Sequence, residues 1–164
     1  MLRRTGVALT AIVLLLPLTV MAQKDGQPSF GAADKTAIEQ LFDRYVRAYS
    51  IKDYAKLREQ LQAPFFRFPA GVVVLETMDD VMNFYRNQRD ALDEQNYARS
   101  RFVHSRITAL AGDRALVNRT YRRYRKDGTV LLEASQIYLV SKSSGAWKIC
   151  GTFAQDLEEF GKVY

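Results

Sequence analysis

Residues 107–149 read ITALAGDRALVNRTYRRYRKDGTVLLEASQIYLVSKSSGAWKI, a run of β-rich segments broken by three turn signals. The breaks are AGD at 111–113, KDG at 126–128 and SSG at 143–145. Asp-Gly and Gly-containing breaks of this kind favour tight turns between antiparallel strands. From residue 97 onward, the apolar residues show no helical spacing. The pattern therefore predicts a β-meander of three long strands and one shorter strand.

The segment before the meander predicts helices. Apolar residues recur at helical spacing between residues 38 and 49, with Asp34 as the predicted N-cap of a first helix. A shorter helix is predicted from Asp53 to Pro64, which ends it. Thr77 opens a third helix, and two short β-rich runs, 65–68 and 72–75, precede it. Helices followed by a meander predict an α+β fold, with the helices packed on one face of a curved antiparallel sheet.

Composition narrows the class of protein. The chain has 164 residues, 24 Lys+Arg against 18 Asp+Glu, and 48% hydrophobic residues. These values exclude a disordered chain and a polytopic membrane protein, and the length suits one compact domain. Cys150 and His104 are single in the sequence, which excludes an intramolecular disulfide framework and a structural zinc site built from Cys and His. We expect neither a metal nor another cofactor.

The N-terminus predicts export. Arg3 and Arg4 precede an apolar run at 7–16, and Val-Met-Ala at 20–22 has the pattern of a signal-peptidase site. We predict a cleaved signal peptide over residues 1–22, a flexible linker over 23–33 and a single domain over 34–164, with a periplasmic or secreted location. The alternative is a retained anchor, since residues 5–22 carry no charge. After cleavage we expect no stable membrane insertion.

The meander also carries a family resemblance. Gly-Asp-Arg-Ala-Leu-Val at 112–117 and Trp-Lys-Ile at 147–149 resemble a hairpin and a final strand common in nuclear transport factor 2-like domains of the SnoaL-like, polyketide cyclase-like branch. The resemblance covers about residues 34–156. It implies a cystatin-like cone in which three N-terminal helices pack on a curved antiparallel sheet around an apolar cavity, and it also implies a homodimer. The superfamily includes isomerases, cyclases, dehydratases and hydrolases alongside binding modules, so the fold alone selects no activity.

The candidates for acid-base catalysis are weak. In the ketosteroid isomerase branch an acidic residue before a proline is the general base, whereas the matching pair here is Phe68-Pro69. His104 is the single imidazole of the sequence, Glu133 lies in an otherwise apolar strand, and Tyr45 lies on the first helix. Each also has a structural interpretation: a surface histidine, a carboxylate paired with arginine, and a core tyrosine.

Arginines are the strongest compositional anomaly. Residues 97–126 hold nine basic residues and one acid. Arg119 and Tyr121 alternate on one strand face, and if that face lines the cavity, Arg119 and Arg101 would donate to a carboxylate or phosphate beside Tyr121 and Tyr49. The alternative is a solvated face whose arginines pair with Glu133 or with helix acids.

Two functions of different classes follow. The first is an exported, non-catalytic domain that binds a small molecule with an anionic group. The second is a cofactor-independent SnoaL-like enzyme, an isomerase, cyclase, dehydratase or hydrolase, acting on a small apolar or carbonyl substrate. The sequence offers no defensible acid-base pair, which favours binding. Nucleic acid is not an expected partner, because an exported protein meets little of it and no nucleic-acid-binding motif is present.

Overall fold

The computed structural model describes residues 29–68, 71–143 and 145–155. In chain order its elements are α1 Ala32–Ser50, α2 Tyr54–Glu59, β1 Leu61–Phe68, β2 Val73–Leu75, α3 Met78–Asp93, β3 Tyr97–Ala111, β4 Arg114–Arg125, β5 Val130–Ser141 and β6 Lys148–Gln155. The predicted order of helices, short strands, helix and meander is confirmed.

The strands form one sheet in the order β2-β1-β6-β5-β4-β3. All neighbouring strands are antiparallel except β1 and β6, which run parallel. The predicted α+β class is confirmed, but the sheet is mixed rather than wholly antiparallel. Strand β6 is the last strand of the meander, and most of the chain separates it from β1. No hairpin turn therefore fixes the direction of β6 relative to β1.

The helices cover one face of this sheet, called here the inner face. Helix α1 contacts β3, and α3 contacts β1. Phe42 of α1 is fully buried at the centre, with its ring 4.8 Å from that of Tyr138 and 5.7 Å from that of Phe102, both edge-to-face. Such pairs add to the burial of apolar area. The core therefore lies between α1, α3 and the inner face.

A bulge in β3 decides which of its side chains reach that core. Phe102 pairs with Tyr121 while His104 pairs with Thr120, so Val103 is an extra residue on β3. Such a residue reverses the alternation beyond it and bends the strand. As a result Phe102 and Ser105 lie on the inner face, and His104 lies exposed on the opposite, outer face.

The helix boundaries agree with prediction at α3 and differ at α1 and α2. The N-cap of α1 is Gly31, so the prediction of Asp34 as the N-cap is wrong: Asp34 lies in the first turn, and its carboxylate accepts a hydrogen bond from the Gly31 N–H. The Thr77 hydroxyl accepts a hydrogen bond from the Asp80 N–H, and the Asp80 carboxylate accepts one from the Thr77 N–H, so the predicted N-cap is confirmed. Helix α2 ends at Glu59, not at Pro64. Pro64 instead lies within β1, where the pairing register with β6 shifts between Leu61 and Phe66. A proline lacks an N–H and is accommodated at such an irregularity.

The N-terminal predictions fall mostly on residues that the structure does not describe. The predicted signal peptide, residues 1–22, lies outside the described residues, as does most of the predicted linker 23–33. Helix α1 begins at Ala32, two residues before the predicted domain start, and residues 156–164 also lie outside. Within the described ranges, no helix is long and apolar enough to cross a membrane. The same ranges hold no group of three or more His, Cys, Asp or Glu side chains suited to a metal ion.

Asp34 ties the start of α1 to the end of the meander. Its carboxylate accepts hydrogen bonds from the Gly31 N–H at 3.0 Å, from Lys142 Nζ at 3.0 Å and from Trp147 Nε1 at 3.1 Å. The Gly31 N–H, followed by Lys142 and Trp147, lowers the pKa of Asp34 from 3.8 to about 2. The folded state therefore favours the ionised carboxylate.

We expect Asp34→Asn to lower the free energy of unfolding at pH 7. The folded pKa lies below the unfolded value, so the stabilisation is full above about pH 4 and is lost as the pH falls towards 2. The difference between wild type and variant should therefore shrink between pH 5 and pH 2.5 in urea unfolding followed by circular dichroism. A difference that stays constant over that interval would contradict the assigned role.

Candidate functional site

A cavity of about 70 Å³, partly open to solvent, lies between the inner sheet face and helices α1 and α3. Seven of its lining residues are aromatic: Tyr45, Tyr49, Phe84, Tyr85, Phe102, Tyr121 and Tyr138. Its polar side chains are Arg67, Gln88, Ser100, Arg123, Gln136 and Thr152. The walls thus combine aromatic rings with several polar and charged side chains, which can orient a small molecule.

Tyrosine hydroxyls supply neutral hydrogen-bond donors along the helical wall. Tyr45 donates to the hydroxyl of Tyr85 at 3.4 Å, and Tyr49 donates to Gln88 Oε1 at 2.8 Å. Burial raises the pKa of Tyr45 to about 12 and raises the pKa values of Tyr49, Tyr85 and Tyr138 above their ordinary value as well. All four hydroxyls therefore stay protonated at neutral pH and cannot act as general bases.

Two arginines bring positive charge to the cavity. The guanidinium of Arg67 lies over the Phe84 ring at 3.7 Å, and that of Arg123 lies 5.1 Å from the centre of the Tyr121 ring. The Nε atoms of both are buried and have no hydrogen-bond partner in the described part of the chain. Burial lowers the pKa of Arg67, but a guanidinium remains charged at neutral pH.

These two arginines differ from their neighbours in their surroundings. No Asp or Glu of residues 29–68, 71–143 or 145–155 lines the cavity. Elsewhere, by contrast, Arg89, Arg119 and Arg122 each form an ion pair with a carboxylate. A buried Nε–H group without an acceptor is unfavourable, so a cavity lined by two such arginines and by no described carboxylate suits an anionic occupant.

Of the four predicted ligand-binding residues, the structure places Tyr49 and Tyr121 on the cavity wall. Arg119 lies on the same strand face but does not line the cavity. Its side chain is 3% exposed and pairs with Glu39 of α1. The aromatic neighbours of its guanidinium are the rings of Phe42, at 4.3 Å, and Phe102, at 4.6 Å. Arg101 lies exposed on the outer face, opposite Arg122.

The three catalytic candidates lie on different sides of the sheet. Tyr45 lines the cavity. His104 is exposed on the outer face, and Glu133 pairs with Arg122 on that same face. The structure thus separates the histidine and the carboxylate from Tyr45 by the thickness of the sheet.

Sequence reasoning missed both arginines that reach the cavity. Arg123 lies two residues beyond Tyr121 and four beyond Arg119. The alternation of side chains along a strand therefore predicts that all three lie on the same face. Residues 122–126 lie at a predicted hairpin tip, where side chains are expected to be solvated. For this reason Arg123 was not predicted to line the cavity. Arg67 lies in β1, beside Thr152 of β6, and no local signal reports that pairing.

With the geometry established, the family can be assigned. The sequence model of the family described as NTF2-like protein (DUF6841) matches residues 34–157. The chain belongs to this NTF2-like family. The predicted nuclear transport factor 2-like relationship is confirmed, and the SnoaL-like branch stays a prediction. None of the curated proteins matches the sequence.

Solved structures share the fold of this NTF2-like protein at low sequence identity. A protein of unknown function with a cystatin-like fold from Nostoc punctiforme is 14% identical, with a TM-score of 0.64, over 77% of this chain and 92% of that one. An NTF2-like protein with a cystatin-like fold from Novosphingobium aromaticivorans is 14% identical, with a TM-score of 0.62, over 80% and 88%. A protein provisionally described as a ketosteroid isomerase, from Shewanella frigidimarina, is 17% identical, with a TM-score of 0.57, over 77% and 100%. At such identities the likeness establishes the fold alone.

Proposed function

We propose that this NTF2-like protein is an exported, non-catalytic domain that binds a small anionic molecule in its cavity. Arg67 and Arg123 are the residues that bind the anion. One observation carries the proposal: two half-buried arginines line an aromatic cavity on which no described carboxylate lies, and the buried Nε–H group of each has no acceptor among the described residues. An anionic group would supply both the missing counter-charge and the missing hydrogen-bond acceptors.

The size of the cavity limits the ligand. A water molecule needs roughly 10–15 Å³ of such space, so about 70 Å³ holds roughly five waters and limits the occupant to a small molecule. Aromatic walls favour an apolar or planar body, and the tyrosine hydroxyls and Gln136 can orient polar atoms.

The alternative is a cofactor-independent SnoaL-like enzyme. One observation favours it: Tyr45 and Tyr85 line the cavity with protonated, adjacent hydroxyls, and the Tyr85 hydroxyl, which accepts from Tyr45, could donate to a developing oxyanion. Acid-base chemistry also needs a base, and the described cavity wall offers neither a carboxylate nor an imidazole. We therefore favour binding over catalysis.

Export and assembly belong to the same proposal. A cleaved leader over residues 1–22 would deliver the domain to the periplasm or outside the cell. A homodimer would form through the outer sheet face, where the ring of Phe68, 37% exposed, stacks on that of Phe153 at 4.5 Å. Exposed aromatic surface of this kind is enriched at protein interfaces.

Native mass spectrometry of the protein purified from its own host tests the binding function. We expect wild type to carry a small molecule that Arg123→Gln loses. Arg122→Gln is the matched control, since Arg122 is the next residue on the same strand but lies on the outer face, paired with Glu133. The control should retain the molecule. Retention by all three proteins, or by none, would contradict an arginine-dependent cavity ligand.

A further inference from the structure

We infer that the ligand is a small dicarboxylate, with its two carboxylates at opposite ends of an apolar spacer. This inference rests on the proposed function and narrows it from an anion to a two-ended dianion. It depends on where Arg67 and Arg123 enter the cavity and on how many negative charges they need.

The sheet brings the two arginines to the cavity from distant positions. Arg67 lies in β1 and Arg123 in β4, and strands β6 and β5 separate these two strands. Three strand spacings amount to about 14 Å along the sheet. The two guanidiniums therefore approach the cavity from opposite walls rather than side by side.

The register adds a second separation, along the strands. Arg67 pairs with Thr152, Thr152 with Tyr138, and Tyr138 with Val117, so Val117 is the position on β4 level with Arg67. Arg123 lies six residues further along β4. Six residues of strand span about 20 Å. The curvature of the sheet and the length of the side chains close part of this distance, which leaves one guanidinium at each end of the cavity.

The immediate surroundings of the two groups agree with this placement. Arg67 stacks on Phe84 of α3, whereas Arg123 stacks on Tyr121 of its own strand. The two cations thus lie over rings of different elements.

Charge balance then favours two separate anionic groups. A monocarboxylate satisfies one guanidinium and leaves the buried Nε–H group of the other without an acceptor. A phosphate carries two charges but is compact, so it reaches one end only. A short dicarboxylate pairs each end with one arginine and leaves its spacer against the aromatic walls.

Isothermal titration calorimetry on the full chain tests the inference with a matched pair of probes. Adipate carries two carboxylates, and 6-methylheptanoate has the same length with an isopropyl group in place of one of them. We expect adipate to bind about tenfold to hundredfold more tightly, the range that a charged hydrogen-bonded contact supplies. Arg67→Gln and Arg123→Gln should each abolish the preference, and Arg122→Gln should keep it.

Other outcomes overturn the inference in distinguishable ways. Equal affinity for the two probes means that the cavity takes one carboxylate, and the proposed function then survives without the inference. Tighter binding of inorganic phosphate than of adipate, lost in Arg123→Gln, means a compact dianion at one end. If no probe binds, the inference fails, and the co-purified molecule in the native mass spectra decides the proposed function separately.

Discussion

Replacing Glu39 with glutamine should lower the free energy of unfolding by about 2–3 kcal/mol, because it leaves a buried guanidinium without its counter-charge. The Arg119 side chain is 3% exposed and pairs with Glu39, whose own side chain is 45% exposed. Loss of one partner of a fully buried pair costs about 3–5 kcal/mol, and the exposure of Glu39 reduces that figure. Glu39 also accepts a hydrogen bond from the Ser105 hydroxyl at 2.9 Å.

The same chain offers a matched control for this prediction. Arg122 and Glu133 form the same kind of ion pair on the outer face, with side chains 44% and 36% exposed. Glu133→Gln should therefore cost only about 0.5 kcal/mol or less. Arg119→Met should cost less than Glu39→Gln, since methionine keeps much of the packing between Phe42 and Phe102 and removes the charge. Urea unfolding followed by circular dichroism measures all three, and equal losses in Glu39→Gln and Glu133→Gln would contradict a buried pair.

The second large effect has the opposite sign. The double variant Arg67→Met/Arg123→Met should be more stable than wild type without ligand, by about 1–2 kcal/mol, because two half-buried cations whose buried Nε–H groups lack an acceptor among the described residues are replaced by apolar side chains. Binding sites commonly carry such destabilising groups. For a domain of this size the melting temperature should rise by roughly 2–8 °C.

Ligand addition should reverse the order of stability. Adipate should raise the melting temperature of wild type by mass action and leave that of the double variant unchanged. Arg89→Met is the control, since Arg89 is buried but paired with Asp93, so the substitution should lower stability rather than raise it. A double variant less stable than wild type would show that Arg67 and Arg123 support the fold rather than a ligand.

Local signals explain why the elements were predictable. The turns at 111–113, 126–128 and 143–145 and the capping pair Thr77 and Asp80 act over a few residues, so composition and spacing report them directly. The mixed sheet was not predictable in this way, because β1 pairs with β6 across most of the chain. The end of α2 was misplaced for a related reason: Pro64 lies in a strand irregularity that only the pairing with β6 defines.

The site was predictable in kind but not in detail. An arginine-lined cavity follows from the basic meander and the family fold, and Tyr49 and Tyr121 lie on it. Choosing between Arg119 and Arg123 required the position of Glu39, which is 80 residues away from Arg119 in sequence. No periodicity within β4 can show which of two arginines on one face meets a helix carboxylate and which meets a cavity.

Nitrogen-15 NMR of the arginine Nε–H groups during an adipate titration tests the central claim most directly. Four arginines have a buried Nε atom without a hydrogen-bond partner among the described residues, and they can be compared within one spectrum: Arg67, Arg89, Arg119 and Arg123. Of these, only Arg67 and Arg123 line the cavity. We expect the Nε–H signals of these two to shift as adipate binds, while those of Arg89 and Arg119 stay in place. Shifts of equal size in all four signals, or in none, would contradict a ligand held between Arg67 and Arg123.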